Sequence, residues 1–233
     1  MYIIGDLHSN IEQLNKLLDL LKPIQGETLF FLGDYIDKKR GTDETLQKLN
    51  HLKGEFKCIF IKGDHEFVWE RYLNYNETFR QDFLLKYGSI EALRQYTSNP
   101  EKLIEKNDIS AIKKFLQPYL DFVKDTEDYY LTDGYLFLHA GLQEEQLTQN
   151  PLRFTETNYF LRKEGMNLKK LYLDKYIIVA GHTYFGKEPF IEKGFIGIDL
   201  GAGYDGYLGA LDVKNNKIIR SDGKIFYLNK KYD

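Results

Sequence analysis

Short apolar runs alternate with stretches of helical periodicity in the first third of the chain. Three such runs each end at a Gly-Asp pair: residues 2–4, 28–32 and 58–61. Between the first two, aliphatic residues recur three and four positions apart over residues 11–21, which predicts a helix capped by Asn10. A second helix is predicted over about residues 43–51. Strands that are apolar on both faces and alternate with helices are typical of a buried parallel sheet.

In the middle of the chain the alternation of strands and helices gives way to helical patterns alone. Helical patterns rich in aromatic and polar residues run from about residue 67 to about residue 125, with little strand signal. We interpret this stretch as a helical insertion within a single domain that spans residues 1–233. Most of its aromatic residues are predicted to pack between helices: Trp69, Tyr72, Tyr75, Phe79, Phe83 and Tyr87. Strands are then predicted to resume at residues 135–138, 176–180, 195–199, 207–213 and 217–219, with a hairpin turn at Asn215-Asn216.

Composition narrows the class of protein. The 233 residues are 42% hydrophobic and 29% charged, which is typical of a globular chain. A single cysteine, Cys58, excludes an internal disulfide and a thiolate zinc site. The chain contains no apolar run near the roughly 18 residues that a membrane span needs, and Met1 leads directly into the first strand, so we expect a cytoplasmic protein without a membrane partner. A net charge of −3 speaks against general nucleic-acid binding.

Residues with metal-binding side chains follow five of the predicted strands. The carboxyl ends of parallel strands form the ligand-binding edge of an open sheet, and glycine lets the chain turn sharply there. A lone Gly-Asp pair is usually only a turn, and a lone histidine is usually structural, but five together after strands indicate one site. We therefore expect six side chains to lie close together: Asp6, His8, Asp34, Asp64, His139 and His182.

Carboxylates and imidazoles without thiolates suit Mn²⁺, Fe or Zn²⁺ better than Ca²⁺. One shared carboxylate can bridge two such ions at roughly 3.5–4 Å, the spacing used for in-line displacement at phosphorus. Asp34 follows the middle strand and is the expected bridge.

These motifs resemble, in kind and in order, the signature of the calcineurin-like metallophosphoesterases, and most closely the bacterial and phage serine/threonine phosphatases of the PPP type. The resemblance rests on Gly5-Asp6-Leu7-His8, Gly33-Asp34-Tyr35-Ile36-Asp37, Gly63-Asp64-His65-Glu66, His139-Ala140-Gly141 and Gly181-His182-Thr183. Weaker similarities lie at residues 87–93, 159–162 and 196–203. The resemblance implies an α/β fold, a four-layer αββα sandwich with a helical insertion.

The resemblance also implies roles. One metal ion would be held by Asp6, His8, Asp34 and His182, and the second by Asp34, Asp64 and His139. A hydroxide bridging the two ions, with Mn²⁺ expected before Fe or Zn²⁺, would attack phosphorus. His65 would protonate the leaving oxygen while Asp37 holds its imidazole, and Arg162 is the firmest candidate for binding the phosphoryl oxygens.

Two positions depart from the family pattern. Where Asp-Arg-Gly is usual, Asp37 is followed by Lys38-Lys39-Arg40-Gly41, so either Lys38 replaces the arginine or Arg40 restores it after an insertion, and we favour Arg40 slightly. Asp64 stands where the family usually has asparagine. The added charge predicts tighter metal binding and weaker phosphate binding.

Three functions are compatible with these residues. The first is hydrolysis of phosphomonoesters, with phosphoserine and phosphothreonine in proteins as the expected substrates. The second is hydrolysis of dinucleoside polyphosphates, such as diadenosine tetraphosphate, or of nucleotide caps. The third is a binding protein whose active site has degenerated. The intact set of predicted ligands speaks against the third.

Overall fold

The computed structural model describes residues 1–132, 134–146, 149, 152–162, 165 and 176–228. Within these residues the strands form two sheets. The first has the spatial order β11 (Ile225–Tyr227), β10 (Lys217–Arg220), β9 (Gly209–Asp212), β1 (Tyr2–Ile4), β2 (Thr28–Phe31) and β3 (Lys57–Phe60). The second has the order β4 (Tyr129–Thr132), β5 (Tyr135–Leu138), β6 (Ile177–Ala180), β8 (Phe195–Gly197) and β7 (Phe190–Glu192).

Both sheets are parallel where the predicted motifs lie and antiparallel elsewhere. Strands β1, β2 and β3 run parallel, and so do β5, β6 and β8. The parallel sheet predicted from the first third of the chain is confirmed for β1, β2 and β3. Strands β9, β10 and β11 return through short turns and pair antiparallel, and β4 and β7 do the same at the edges of the second sheet. The predicted turn at Asn215-Asn216 joins β9 to β10, and Asn216 adopts a positive φ of 50° there.

The helices lie between these strands along the chain. Their bounds in the described residues are α1 (Ile11–Leu21), α2 (Thr42–Glu55), α3 (Asp64–Tyr75), α4 (Gln81–Lys86), α5 (Pro100–Glu105), α6 (Ile109–Val123) and α7 (Thr157–Phe160). Short 3₁₀ helices lie at Thr78–Arg80, Ser89–Ala92 and Glu144–Gln146. As predicted, Asn10 caps α1, because its side chain accepts a hydrogen bond from the Gln13 amide at 3.2 Å.

The apolar core has a layered arrangement. Side chains such as Ile3, Phe137 and Val179 pack between the two sheets. The outer face of the first sheet packs against helices through residues such as Leu17 and Tyr119. The outer face of the second sheet is covered in the described residues by loop and helix-end side chains: Leu142, Leu152, Phe154 and Leu161. The predicted α/β fold with two stacked sheets and flanking helices is thus confirmed.

The aromatic residues of α3 and its neighbours divide into two groups. Trp69 and Tyr72 are fully buried, as predicted. Tyr75 and Phe79 are exposed, so the prediction of core packing is wrong for these two. Phe83 and Tyr87 line a cavity instead. None of the helices in the described ranges has the length and apolar character that crossing a membrane requires.

Candidate metal and phosphate site

The strand ends of both sheets converge on one buried cluster. Asp6 and His8 follow β1, and Asp34 follows β2, while Asp64 begins α3 just beyond β3. His139 follows β5 and His182 follows β6, so the two histidine-bearing loops come from the second sheet. The structure brings all six predicted ligands together, at the meeting edge of two sheets rather than at the edge of one.

The loops of the site carry an unusual density of strained backbone. Several of their residues, none of them glycine, adopt a positive φ: His8, Ser9, Asp34, Asp37, Lys38 and His182. Each such residue costs on the order of 1–3 kcal/mol and persists only where surrounding contacts fix it, which is typical of functional sites. Two of the loops fix each other, because the amides of Leu7 and His8 both donate to the Asp34 carbonyl, at 3.1 and 2.7 Å.

Two glycines are required by this packing. Gly33 has a φ of +105°, and a Cβ there would lie 2.8 Å from His139 Nδ1. A Cβ on Gly181 would lie 1.9 Å from Asp6 Oδ1. The glycines of the predicted motifs therefore permit the close approach of the ligand side chains.

Asp34 lies between two sets of ligand atoms. Its Oδ2 is 3.3 Å from His8 Nε2, and its Oδ1 is 3.4 Å from His139 Nε2. Asp64 Oδ1 lies 3.0 Å from His139 Nε2 and 3.3 Å from His182 Nδ1. Three groups of potential ligands have their atoms within 4.8 Å of one another: His8 with Asp34 and His65, Asp64 with His139 and His182, and Asp6 with Asp34 and His139.

This grouping differs in two respects from the predicted assignment. His65 was expected to act as the acid and not as a ligand, but its ring lies within reach of His8 and Asp34. His182 was expected beside Asp6, His8 and Asp34, but its Nδ1 faces Asp64. Its backbone amide, by contrast, donates to Asp6 Oδ2 at 2.8 Å. His182 therefore joins the two groups through different atoms.

The chemistry of the cluster fits divalent cations. Burial raises the pKa values of Asp6 and Asp34, and the neighbouring carboxylates Asp199 and Asp64 raise them further, so the cluster holds more negative charge than its surroundings compensate. Asp6 Oδ1 and His182 Nε2 are buried without a hydrogen-bond partner. Cations placed among these groups would offset the negative charge and would give the two unpartnered atoms a ligand contact.

The histidine rings are oriented for ligation by the contacts of their second nitrogen. His139 Nδ1 donates to the Leu32 carbonyl at 2.7 Å, and His8 Nδ1 donates to the Ile36 carbonyl at 3.1 Å. Since a carbonyl only accepts, both rings carry a proton on Nδ1, and Nε2 is the nitrogen that faces the cluster. Burial and Lys38 lower the pKa of His8, which favours the neutral ring that a metal ion binds.

His65 and Asp37 form a hydrogen-bonded pair beside the cluster. His65 Nδ1 is 2.6 Å from Asp37 Oδ2, and both residues are buried. Burial by itself would lower the pKa of His65, but Asp34 and Asp37 raise it to about 9. The ring is therefore an imidazolium at neutral pH, with Nε2 free to donate.

Sequence reasoning missed a residue behind this pair. The Trp69 indole N–H lies 3.0 Å from each of the two Asp37 oxygens. Trp69 was interpreted only as core, because an apolar ring at helical spacing does not reveal what its polar edge contacts. The Ser89 hydroxyl lies 3.4 Å from His65 Nδ1 on the other side.

Sequence reasoning also gave no role to Glu66. Its fully buried carboxylate accepts from the backbone amides of Asp34 at 2.7 Å, Tyr35 at 3.1 Å and Gly63 at 2.9 Å. The Tyr119 hydroxyl donates to it at 2.6 Å. Burial and the nearby Asp34 raise the pKa of Glu66 to about 7. The available signal was its place in the Gly-Asp-His-Glu motif, directly after the predicted acid.

The three candidate phosphate-binding cations lie in different surroundings. Lys38 Nζ donates to His8 Nε2 at 2.8 Å and lies 4.6 Å from the centre of the Tyr204 ring. Arg162 is exposed and lines the same cavity. The Arg40 side chain is 70% exposed and lies 3.4 Å from Glu91, outside the cavity lining. The slight preference for Arg40 over Lys38 does not fit this geometry.

A cavity of about 650 Å³ opens over the cluster. Its charged and polar lining consists of Asp34, Lys38, Asp64, His65, Arg162, His182, Thr183 and Asp199. Its aromatic lining consists of Phe83, Tyr87, Phe160, Tyr184 and Tyr204. A small charged group can therefore reach the ligand cluster, the acid and two cations at once.

Residues 1–214 match the model of the calcineurin-like phosphoesterase family, and the chain belongs to that family. The family depends on two metal ions, with histidine and aspartate side chains as the metal-binding groups.

Individual relatives share smaller parts of the sequence or only the fold. A PP2A-like serine/threonine-protein phosphatase of Saccharomyces cerevisiae is 26% identical over 99 residues, which are 42% of this chain and 26% of that protein. A candidate diadenosine tetraphosphatase structure covers 97% of this chain and 90% of its own, with 17% identity and a TM-score of 0.64. A cold-active protein-tyrosine phosphatase of a Shewanella species covers 98% and 80%, with 16% identity and a TM-score of 0.60. The matches span only 18% to 31% of the curated relatives' length.

Proposed function

We propose that this chain is a dinuclear metal-dependent phosphomonoesterase that acts on phosphoproteins. The observation that carries the proposal is the position of Asp34 between two groups of ligand atoms, with the His65–Asp37 pair facing the same cavity. Asp6, His8, Asp34, Asp64, His139 and His182 would hold the two metal ions.

Two bound divalent cations would supply Lewis-acid stabilisation of charge on the phosphoryl oxygens and a water nucleophile at neutral pH. The protein residues supply the remaining chemistry. His65 donates its Nε2 proton to the leaving oxygen as the phosphorus–oxygen bond breaks, because its Nδ1 is held by Asp37. The Asp37 carboxylate at Nδ1 favours the protonated ring, which keeps that proton available.

Lys38 and Arg162 bind the phosphoryl oxygens in this proposal. Both line the cavity. Burial by itself would lower the pKa of Lys38, but the carboxylates Asp34, Asp199 and Asp6 raise it overall, so its ammonium stays charged. Arg40 is assigned no phosphate contact, because its guanidinium is paired with Glu91. Positive charge placed at the developing phosphoryl charge lowers the barrier directly.

Phosphoserine and phosphothreonine side chains are the first substrates to test, since the matching relative from yeast is named for them. Dinucleoside polyphosphates are the second candidate. The observation in their favour is the exposed pair Tyr184 and Tyr204 at the cavity rim, with ring centres 6.3 Å apart, on which a base could stack.

The test uses metal-stripped full-length protein supplied with Mn²⁺, Fe²⁺ or Zn²⁺ in turn. Turnover is measured on p-nitrophenyl phosphate, a phosphoserine peptide and diadenosine tetraphosphate. The proposal expects metal-dependent hydrolysis of the first two, with Mn²⁺ most effective. Bound metal, shown by calorimetry, without turnover of any substrate would overturn it, and turnover of diadenosine tetraphosphate alone would favour the second candidate.

A further inference from the structure

We propose that the aromatic side chains beside His65 make this site selective for aryl phosphates, so that phosphotyrosine residues are hydrolysed in preference to phosphoserine. The proposal rests on the proposed phosphomonoesterase function and names a substrate class for it. We call Phe83, Tyr87 and Phe160 the leaving-group wall, since all three line the cavity.

The leaving-group wall lies directly against the proposed acid. The Phe83 ring centre is 5.2 Å from that of His65, in an edge-to-face arrangement. Tyr87 lies 4.8 Å and Phe160 6.0 Å from Phe83. Because His65 must touch the leaving oxygen, whatever is attached to that oxygen emerges beside these rings.

The three rings line the cavity, although Phe83 and Phe160 also pack against the hydrophobic core. Trp69 on the preceding helix is fully buried, whereas Tyr87 is 38% exposed and Phe83 and Phe160 are half-buried. An aromatic surface that remains accessible next to a reacting atom can stack on or meet edge-on a flat substrate ring, which is worth ≈ 0.5–1.5 kcal/mol beyond its buried area.

The distance from the acid favours a ring joined directly to the leaving oxygen. The phenyl ring of phosphotyrosine begins at that oxygen, and so it falls beside Phe83. Phosphoserine offers a single methylene there. In a dinucleoside polyphosphate a ribose separates the base from the phosphates, which places the base beyond this first ring.

The charge of the cavity also favours a phosphomonoester over a dinucleoside polyphosphate. Among the described residues that line it, Lys38 and Arg162 carry permanent positive charge, against the carboxylates Asp34, Asp64 and Asp199. With two metal ions bound, this suits the two charges of a phosphomonoester. The chain of charges on a dinucleoside tetraphosphate would leave phosphates without a cationic partner.

The first experiment compares two peptides that differ only in phosphotyrosine or phosphoserine, with Mn²⁺-loaded full-length protein. The kcat/KM for phosphotyrosine should exceed that for phosphoserine by about tenfold. The variants Phe83→Leu and Tyr87→Leu should each lower kcat/KM for phosphotyrosine by ~3–10-fold, the range expected of one aromatic contact, and that for phosphoserine by less than ~2-fold. Phe83→Tyr should retain the preference, and Phe79→Leu, an exposed residue outside the cavity lining, is the matched control.

A second experiment separates ring recognition from the greater reactivity of aryl esters. Phenylphosphonate and cyclohexylphosphonate are similar in size and are not hydrolysed, so their inhibition constants report binding alone. In the wild type, the inhibition constant of phenylphosphonate should be at least about 3-fold lower than that of cyclohexylphosphonate. In Phe83→Leu the two inhibition constants should become equal.

Three outcomes would overturn the proposal. Equal losses on both peptides in Phe83→Leu would show that the wall only packs against His65. Equal inhibition by the two phosphonates would show that no ring is recognised. A kcat/KM for diadenosine tetraphosphate above that for both peptides would favour a nucleotide occupant. Each leaves phosphoester hydrolysis itself intact, whereas absence of turnover on p-nitrophenyl phosphate would remove the proposed function together with this inference.

Discussion

At the scale of single residues, Asp34 is held by its backbone amide as well as by its carboxylate. Glu66 accepts from that amide and from the amides of Tyr35 and Gly63, which pins the strained turn after β2 to the start of α3. The four donors use both carboxylate oxygens, two at each: Asp34 and Gly63 at Oε2, Tyr35 and Tyr119 at Oε1. Glu66 therefore couples the loops of two proposed metal ligands, Asp34 and Asp64.

We expect Glu66→Gln to destabilise the protein although it preserves shape. With its NH₂ group at the Oε1 position, the new amide can donate to the Tyr119 hydroxyl, which can also accept, but it leaves the Tyr35 amide without an acceptor. The loss of this one buried partner should appear in urea denaturation as about 1–3 kcal/mol. The control is Glu70→Gln, whose carboxylate forms a partly exposed ion pair with Lys62 and should cost less than ~1 kcal/mol. A loss for Glu66→Gln no larger than the control's would contradict this role.

Trp69 is expected to act as a positioning residue for the acid pair. In Trp69→Phe the ring remains but the N–H to Asp37 is lost. The kcat for a phosphate ester with a poor leaving group should fall ~10–150-fold with KM nearly unchanged, since one hydrogen bond to a charged group is worth about 1.5–3 kcal/mol. Hydrolysis of p-nitrophenyl phosphate needs little protonation and should fall less. Equal losses on both substrates would indicate a merely structural effect.

The negative charge of Asp64 should strengthen metal binding and weaken phosphate binding. Asp64→Asn removes one negative charge from a buried cluster, so Mn²⁺ affinity measured by calorimetry should fall on the order of tenfold or more. Inhibition by inorganic phosphate should become stronger. Asp19→Asn, on the exposed face of α1, is the control and should change neither quantity. Unchanged Mn²⁺ affinity in Asp64→Asn would show that its extra charge does not matter.

At the scale of elements, the loops after the strands depend on how the helices begin. Asn10 ends the first ligand loop and caps α1, and its side-chain amide donates to the Ala202 carbonyl at 2.8 Å. It thereby joins the loop of His8 to the glycine-rich segment before β9. Asn99 precedes α5 in the same way but makes no side-chain cap hydrogen bond.

Because the side chain of Asn10 caps its helix and that of Asn99 does not, replacement by alanine should destabilise the protein more at Asn10 than at Asn99. Asn10→Ala should lower the free energy of unfolding by ~1–2 kcal/mol, the usual range for a lost cap. Asn99→Ala should lower it by less than half of that, because its side chain caps nothing. Urea denaturation of the two variants decides the matter, and equal losses would show that the observed cap contributes nothing specific.

Most helices and strands near the site were predicted from the local sequence pattern. Most errors of prediction concern the edge strands and which strands pair with each other. The apolar runs that end in Gly-Asp are strands β1, β2 and β3, within one residue of prediction. Strands β4, β7 and β11 were missed. They are short edge strands, half-buried or exposed, so their hydrophobic pattern is weak. The direction and partner of a strand depend on residues far along the chain, which local periodicity does not report.

At the scale of the whole molecule, metal binding and stability should be coupled. The two sheets meet at a cluster of buried carboxylates whose pKa values burial and mutual proximity raise, as for Asp6 and Asp34. Ions that bind the folded chain alone add about 2.7 kcal/mol of stability per site at a concentration one hundred times the dissociation constant.

Removal of metal with EDTA should therefore lower the melting temperature, and Mn²⁺ should restore it in a concentration-dependent way. His139→Ala should lose most of this response, because His139 belongs to two of the three ligand groups. His51→Ala, an exposed residue paired with Glu55, should keep it. A melting temperature in the wild type that is insensitive to EDTA and Mn²⁺ would contradict the coupling.

The sequence by itself was enough to propose the chemistry of the site: six metal ligands, an acid pair and the order of their motifs along the chain. Glycines and carboxylates at strand ends are local features, and their spacing is visible without a fold. Only the tertiary structure decided that the ligands come from two sheets, that Lys38 and not Arg40 faces the cavity, and that Trp69 and Glu66 support the site from behind. These are contacts between residues up to 176 positions apart, such as His182 with Asp6, and they form only when burial brings distant segments together.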